Sequence, residues 1–342
     1  MSNIYRLFKI FGKLRNYRLK LAAIYLLHQT GRRYIGVFLD PVLSCNFRCR
    51  MCYFSDEARR RELHGVLALE DYNRMAEALF HRALKLQIGC GAEPTLYKNL
   101  EEIIRKARAC GVPYISMTTN GFLLNGEKLL RYVEAGLNEI TLSVHGTCKE
   151  TYEYFMTNGS FEQFTSLLQT LGHLKKRYPA FQIRINYTMN EDNVEELARL
   201  PELLQVVPVD VLQLRPVQKI GEHTSYSNFS MARISEVYDS VLLPLQDYCV
   251  RHGITCLIPG KDNLTVLEQN EADRGWMIQD LTYCYISPDS CWKEDFDSRT
   301  EDFESYSKRT KRARRIWHYI FSGEKRRKSK NDRTRSLNYK LK

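Results

Sequence analysis

Six apolar runs separated by amphipathic segments predict an α/β protein built on a parallel sheet, and three observations support that class. Runs of strand length alternate with helical stretches of ten or more residues. Glycines and unusual polar residues recur where each run ends. The chain, at 342 residues, is ample for one barrel-sized core.

The hydrophobic period places the first strand at about Tyr34 to Leu39, followed by a cysteine-rich loop. A helix is expected near Leu69 to Ala83, with Glu70 and Asp71 in the first turn where the helix dipole favours negative charge. The second strand, about Lys85 to Ile88, ends in Gly89-Cys90-Gly91-Ala92-Glu93-Pro94. The third, about Tyr114 to Thr118, ends in Thr119-Asn120-Gly121. The fourth, about Glu139 to Ser143, ends in Val144-His145-Gly146. A fifth, Phe181 to Thr188, carries Asn186 and is followed by Asn190, and a sixth is about Val211 to Arg215. Helices are expected from about Lys98 and Asn125, and one before strand five opens with Ser160 and Gln163 in capping-box spacing. Right-handed crossovers would put every strand's C-terminal end on one face, the face where β/α barrels carry their active sites.

The octapeptide CNFRCRMC sets Cys45, Cys49 and Cys52 at i, i+4 and i+7. Thiolates hold the four irons of a cubane cluster, so three close ligands leave one iron open to an outside molecule. Zinc would want a fourth nitrogen or sulfur ligand, and the nearest candidate, His64, lies beyond an Arg-rich stretch. The spacing resembles the CxxxCxxC signature of the radical S-adenosylmethionine (SAM) enzymes, and the likeness covers about Tyr34 to Ile258. That resemblance implies a partial (β/α)6 TIM-like barrel of the radical SAM type. It also implies a [4Fe-4S] cluster on Cys45, Cys49 and Cys52, SAM chelated at the open iron, and reductive cleavage to a 5'-deoxyadenosyl radical that abstracts hydrogen from substrate.

The other landmarks take roles from the same resemblance. Gly91, Ala92, Glu93 and Pro94 are similar to the family's GGEP turn, whose backbone and acid hold SAM's methionine amine, with Ala92 in place of a glycine. Met51 stands where relatives carry an aromatic beside the adenine, and Tyr53 follows; either side chain could cover the purine. Ser143 and Asn186 match polar positions that contact SAM's ribose or carboxylate. His145 stands where an acid or amide is commoner, and is either a ligand contact or a structural histidine. Asn120 reads as a turn residue. Arg215 shares one face of strand six with Gln213, and would hold a carboxylate of SAM or substrate, or close an internal ion pair.

Charge is concentrated at the ends. Residues 1–33 contain eight Lys or Arg and no acid, and residues 308–342 contain fifteen against Glu324 and Asp332, so a chain of net charge +11 has an acidic middle. Ile4 to Leu27 reads as a basic amphipathic helix, either closing the barrel or lying on anionic lipid. The segment from Arg314 to Arg335 interleaves aromatics with basic residues before becoming plainly polar, and its last part reads as disordered, with phosphate contact to nucleic acid the weaker alternative. These features divide the chain into an N-terminal basic helix (1–33), the core barrel (34–258), a C-terminal subdomain (259–307) and a basic tail (308–342).

Cys249, Cys256, Cys284 and Cys291 are the candidates for an auxiliary cluster, against a reading as small hydrophobes. Free cysteines without an export signal, and no apolar stretch of spanning length, point to a reducing cytoplasm, with peripheral contact at the inner membrane face. The reading is therefore a radical SAM enzyme of iron-sulfur type, in the branch that resembles cofactor- and peptide-maturing members. Its partners would be a reductant such as flavodoxin or ferredoxin and a peptide, protein or membrane-associated substrate. The alternatives are an RNA-modifying member and a non-catalytic metal-binding or interaction protein on the same barrel.

Overall fold

Along β5 (Gln182–Met189) every second residue is buried and the intervening ones stay partly open, and β1 (Ile35–Leu39) repeats the pattern. One face of each strand is sealed by helices, and the other looks into an interior that solvent reaches. This is a computed structural model, and it describes residues 16–218, 224–264 and 275–322.

All six expected strands form: β1, β2 (Ala83–Ile88), β3 (Ile115–Thr119), β4 (Glu139–Val144), β5 and β6 (Val211–Pro216). Two further parallel strands extend the six, β7 (Thr255–Leu257) beside β6 and β8 (Tyr283–Ser287) beside β1. β9 (Ser290–Cys291) adds to β8 antiparallel. The sheet order is β7-β6-β5-β4-β3-β2-β1-β8-β9, so the barrel stays open between β7 and β9. The 259–307 segment thus contributes strands to the core sheet itself.

Helices sealing the outside include α2 (Leu69–Leu79), α3 (Leu100–Ala109), α4 (Gly126–Ala135) and α5 (Phe161–Arg177). Asn125 caps α4 by accepting from the Lys128 N–H at 2.9 Å, and Ser160 caps α5 through Gln163 N–H at 3.3 Å. α2 stops four residues short of the expected Ala83 because a 3-10 turn, Phe80–Arg82, intervenes. Buried Arg82 anchors that turn by donating to the carbonyls of Leu27, Arg32 and His28 and to Glu304. Pro244 falls in the first turn of the helix before β7, where its missing N–H is not needed. A π turn at Tyr238–Leu242 precedes α6 (Leu243–Arg251).

At the opposite end of the chain order, α1 (Tyr17–Gln29) packs against α8 (Arg312–Ser322), after α7 (Gly275–Thr282) has led into β8. Asn16 caps α1, and Leu21 and Ile24 bury against the core. The apolar positions from Ile4 to Leu14 and the tail beyond Ser322 lie outside the described residues. Part of the expected tail is instead an ordered helix. Arg312 is 2 % exposed, and donates to Tyr34 Oη at 3.1 Å and to the Leu281 carbonyl.

Candidate cluster and cofactor site

The cysteine loop leaves the C-terminal end of β1 and is tied down on two sides. Arg48 N–H and Arg50 N–H donate to the carbonyls of Thr157 and Phe155, both at 2.9 Å, and the Arg50 guanidinium lies over the Tyr154 ring. Across the barrel mouth, Asn120 Nδ2 donates to Asn46 Oδ1 at 2.8 Å. The turn residue after β3 thereby holds the loop as well as its own turn.

The three thiols share one pocket. Burial pushes the Cys45 thiol up to about 12, only partly offset by the Phe47 N–H, which reaches its sulfur at 3.4 Å. Burial raises Cys49 and Cys52 too, and the neighbouring thiols add to the rise at Cys49. Such thiols ionise when iron binds and supplies positive charge. Among the described residues no three His, Cys, Asp or Glu groups converge on a single ion position. The effect of the Cys45 and Cys52 thiols on Cys49 marks the three as neighbours.

The turn after β2 is organised by a residue the sequence did not single out. Asp40, at the end of β1 and 2 % exposed, accepts from the N–H groups of Cys90 at 2.7 Å, Gly91 at 3.1 Å and Ala92 at 3.4 Å, and from Tyr285 Oη at 2.9 Å. An acid beside a strand end is the only local signal that could have marked it. Tyr53 donates its hydroxyl to the Gly91 carbonyl, and Glu93 N–H donates to the Ser44 carbonyl at 3.0 Å. Cysteine loop and turn are thus one hydrogen-bonded unit.

Glu93 ties the turn after β2 to the turn after β3. Its Oε1 accepts from Thr95 N–H, Thr95 Oγ1 and Thr119 Oγ1, and its Oε2 from Asn120 N–H at 2.9 Å. Four donors use a carboxylate that has about four acceptor sites, so Glu93 is first a brace between the β2 and β3 turns. Pro94 starts the 3-10 turn that follows. Met51 is buried, with its thioether accepting from Asn190 Nδ2 at 3.0 Å, whereas Tyr53 keeps part of its surface open.

Ser143 on β4 lies in register with Asn186 on β5, and Asn186 with Gln213 on β6. Asn186 Oδ1 and His145 Nδ1 are buried with no hydrogen-bond partner, which burdens the fold unless a polar ligand meets them. Part of His145 reaches the surface, but burial of its ring lowers its pKa to about 4. Arg215, half-buried beside Thr188, makes no hydrogen bond or ion pair with a described residue. The internal ion pair considered for it is not formed there.

Deeper in the interior, Lys85 Nζ donates to Gln87 Oε1 at 3.0 Å, Gln87 Nε2 to Thr118 Oγ1 at 3.2 Å, and Arg184 to Gln213. Glu139 accepts from Tyr114 Oη at 2.9 Å. A closed barrel fills this space with branched apolar side chains; here it is polar, with Lys85 and Arg184 near Glu139.

A cavity of about 580 Å³ lies at the other end of the sheet, by Lys175, Gln182, Asp210 and Thr255. Its acid, Asp210, is occupied by Lys175 Nζ and the Ile183 N–H, both at 2.8 Å. Cys249 and Cys256 sit by edge strand β7, Cys284 and Cys291 on β8 and β9 at the far end of the sheet order, so these thiols are brought together as two pairs.

The sequence profile described as the Radical SAM superfamily matches residues 41–204, which spans the cysteine loop, the turn after β2 and strands β2 to β5. Over just under half of its length the chain is similar to the radical SAM superfamily. Radical SAM members are enzymes that bind a [4Fe-4S] cluster and SAM. Curated relatives include a probable GTP 3',8-cyclase of Metallosphaera sedula, 29% identical over 191 residues, covering 54% of this chain and 56% of the relative. Another, of Saccharolobus solfataricus, is 28% identical over 196 residues, covering 57% and 61%. The chain thus spans little more than half the length of the first of these radical SAM relatives. Among solved structures, Streptococcus suis SuiB bound to S-adenosylmethionine superposes with a TM-score of 0.57 at 14% identity, over 77% of this chain and 60% of that one. anSMEcpe with bound AdoMet gives 0.58 at 16% identity, over 89% and 94%. These two likenesses establish the radical SAM fold and nothing finer.

Proposed function

We propose that the chain is a radical SAM enzyme whose cluster is held by Cys45, Cys49 and Cys52, and that it abstracts hydrogen from a substrate with an anionic group. The observation that carries the first part is the three neighbouring thiols in one pocket, hydrogen-bonded through their loop to the turn after β2. When bound and reduced, the cluster and SAM together supply a 5'-deoxyadenosyl radical. The residues of this chain do the rest by binding and orientation. Tyr53 presents the side chain beside SAM's adenine, since Met51 is spent in the core. Asn186 and His145, each with an unmet polar atom, and Ser143 receive SAM's ribose and carboxylate. The turn Gly91-Ala92-Glu93-Pro94 presents its backbone to the methionine amine, with Glu93 and Asp40 fixing its shape.

Arg215 then has an anion to bind at the strand ends. That charge suits a nucleotide, the class named for the cyclase relatives. It equally suits an acidic peptide, as SuiB has been seen bound to its precursor peptide SuiA. An external reductant such as flavodoxin or ferredoxin supplies the electron. The setting proposed is a reducing cytoplasm, which keeps the cluster thiols available to iron.

Anaerobic reconstitution tests the proposal. The parent should show one [4Fe-4S] centre by absorption and, once reduced, by electron paramagnetic resonance, and should release 5'-deoxyadenosine from SAM. Cys45→Ala, Cys49→Ala and Cys52→Ala should each abolish both signals. Stoichiometric zinc without iron uptake in anaerobically purified protein would overturn the assignment. Turnover with GTP against an acidic peptide separates the two substrate classes.

A further inference from the structure

The two ends of the described fold meet at one patch. α1 buries Leu21 and Ile24, which leaves Leu19 and Leu26, 55% and 63% exposed, on its outward face. α8 buries Ile316 and Tyr319, leaving Trp317 at 52% and Phe321 at 62% outward. The Tyr25 and Trp317 rings, 5.3 Å apart, join these faces, and Trp317 continues to Phe321 at 4.9 Å. Apolar side chains of this size grouped in water mark an interaction surface.

The direction of the two helices adds the charge. Tyr34 Oη contacts both His28 Nδ1, near the end of α1, and Arg312 Nε, at the start of α8, at 3.1 Å each. With Tyr25 beside Trp317, the helices run antiparallel, so Asn16 and Ser322 leave the fold at the same end. Residues 1–15 contain Arg6, Lys9, Lys13 and Arg15 and no acid, and residues 323–342 contain nine Lys or Arg against Glu324 and Asp332. Two basic segments therefore start from one end of one apolar patch.

We propose that this α1–α8 face docks on an anionic lipid surface. Aromatic and aliphatic side chains enter the headgroup boundary while flanking basic residues neutralise headgroup charge. No helix among the described residues is long and apolar enough to cross a membrane, so contact is confined to the surface. A second copy of the chain fits poorly, because a symmetric interface would bring like-charged segments together. Single-stranded RNA would use the charge and leave Leu19 and Leu26 in water. The inference is independent of the cofactor assignment.

The experiment is sedimentation of full-length protein with phosphatidylglycerol vesicles and with phosphatidylcholine vesicles, at low and high salt. Binding is expected to phosphatidylglycerol only, and to fall with salt. Each basic residue at such a surface contributes about fivefold in affinity. Replacing Lys325, Arg326, Arg327 and Lys328 with Gln should therefore weaken binding more than tenfold and flatten the salt dependence. Trp317→Ser with Phe321→Ser should weaken it while leaving the salt slope, and should remove the blue shift of tryptophan fluorescence on vesicle addition. Circular dichroism and thermal melting check that both variants fold. Three results overturn the proposal: no sedimentation of the parent with phosphatidylglycerol at low salt, unchanged binding by the folded Trp317/Phe321 variant, or a solution dimer that this variant dissociates without any vesicle binding. RNA that displaces the protein from vesicles, with RNA affinity untouched by that variant, assigns the basic segments to nucleic acid and likewise overturns it.

Discussion

Asp40→Ala removes one acceptor and strands four donors at the centre of the proposed cofactor site. Its bond to Cys90 N–H at 2.7 Å is short; those to Tyr285 Oη at 2.9 Å and Gly91 N–H at 3.1 Å are ordinary, and Ala92 N–H at 3.4 Å is weak. Hydrogen bonds to a charged group contribute about 1.5–3 kcal/mol each, but neighbours relax and share the loss, so the expected destabilisation is about 3–5 kcal/mol. Asp40→Asn keeps Oδ1 as an acceptor and should lose about half of that. Urea denaturation of both variants measures the stability term, and anaerobic equilibrium dialysis measures SAM. If the turn positions the methionine end of SAM, Asp40→Ala should bind it at least tenfold more weakly, or about 1.4 kcal/mol, with Asp40→Asn between. An alanine variant as stable as the parent, with unchanged SAM affinity, would refute the idea that Asp40 shapes this turn.

Gly89 has φ +77°, and an added Cβ would fall 2.3 Å from the Thr118 carbonyl oxygen, so Gly89→Ala should cost about 3 kcal/mol or more and lower the thermal midpoint. Arg215→Met removes a half-buried cation with no protein partner among the described residues; stability should stay within about 1 kcal/mol, while affinity for the anionic substrate falls. A loss of several kcal/mol there would mean that Arg215 is an internal ion-pair partner after all. Burial holds His28 and His145 near 4, with Arg312 and Arg82 also lowering His28. Their neutral forms favour the fold fully above about 6.5, and the unfolded chain takes up protons first as pH falls. Denaturation series between pH 7 and 5 should therefore show stability falling by about 1–2 kcal/mol per histidine, and replacing His28 with Gln should flatten part of that slope.

The strands were legible because their signals are local. Alternation of sealed and open positions from Gln182 to Met189, and turn residues after each run, need no knowledge of distant chain. The cysteine loop was legible for the same reason, since its three cysteines lie within eight residues. Glu93 was found but its work was not. Nothing in the Gly91-Ala92-Glu93-Pro94 string says that Thr119 and Asn120, on the next strand's turn, will use its carboxylate.

The residues by themselves determined the parallel α/β order, the position of the three cysteines at a strand end and the concentration of positive charge at both termini. Tertiary structure alone decided that β8 joins β1 across some two hundred and fifty residues of chain, that Asp40 holds the turn after β2, and that α1 packs against α8. The reason is the same in each case. Periodicity and capping are set by neighbours along the chain, whereas a buried carboxylate, a new edge for a sheet or an exposed apolar seam is defined by what packs against it, and those partners come from segments far apart in sequence.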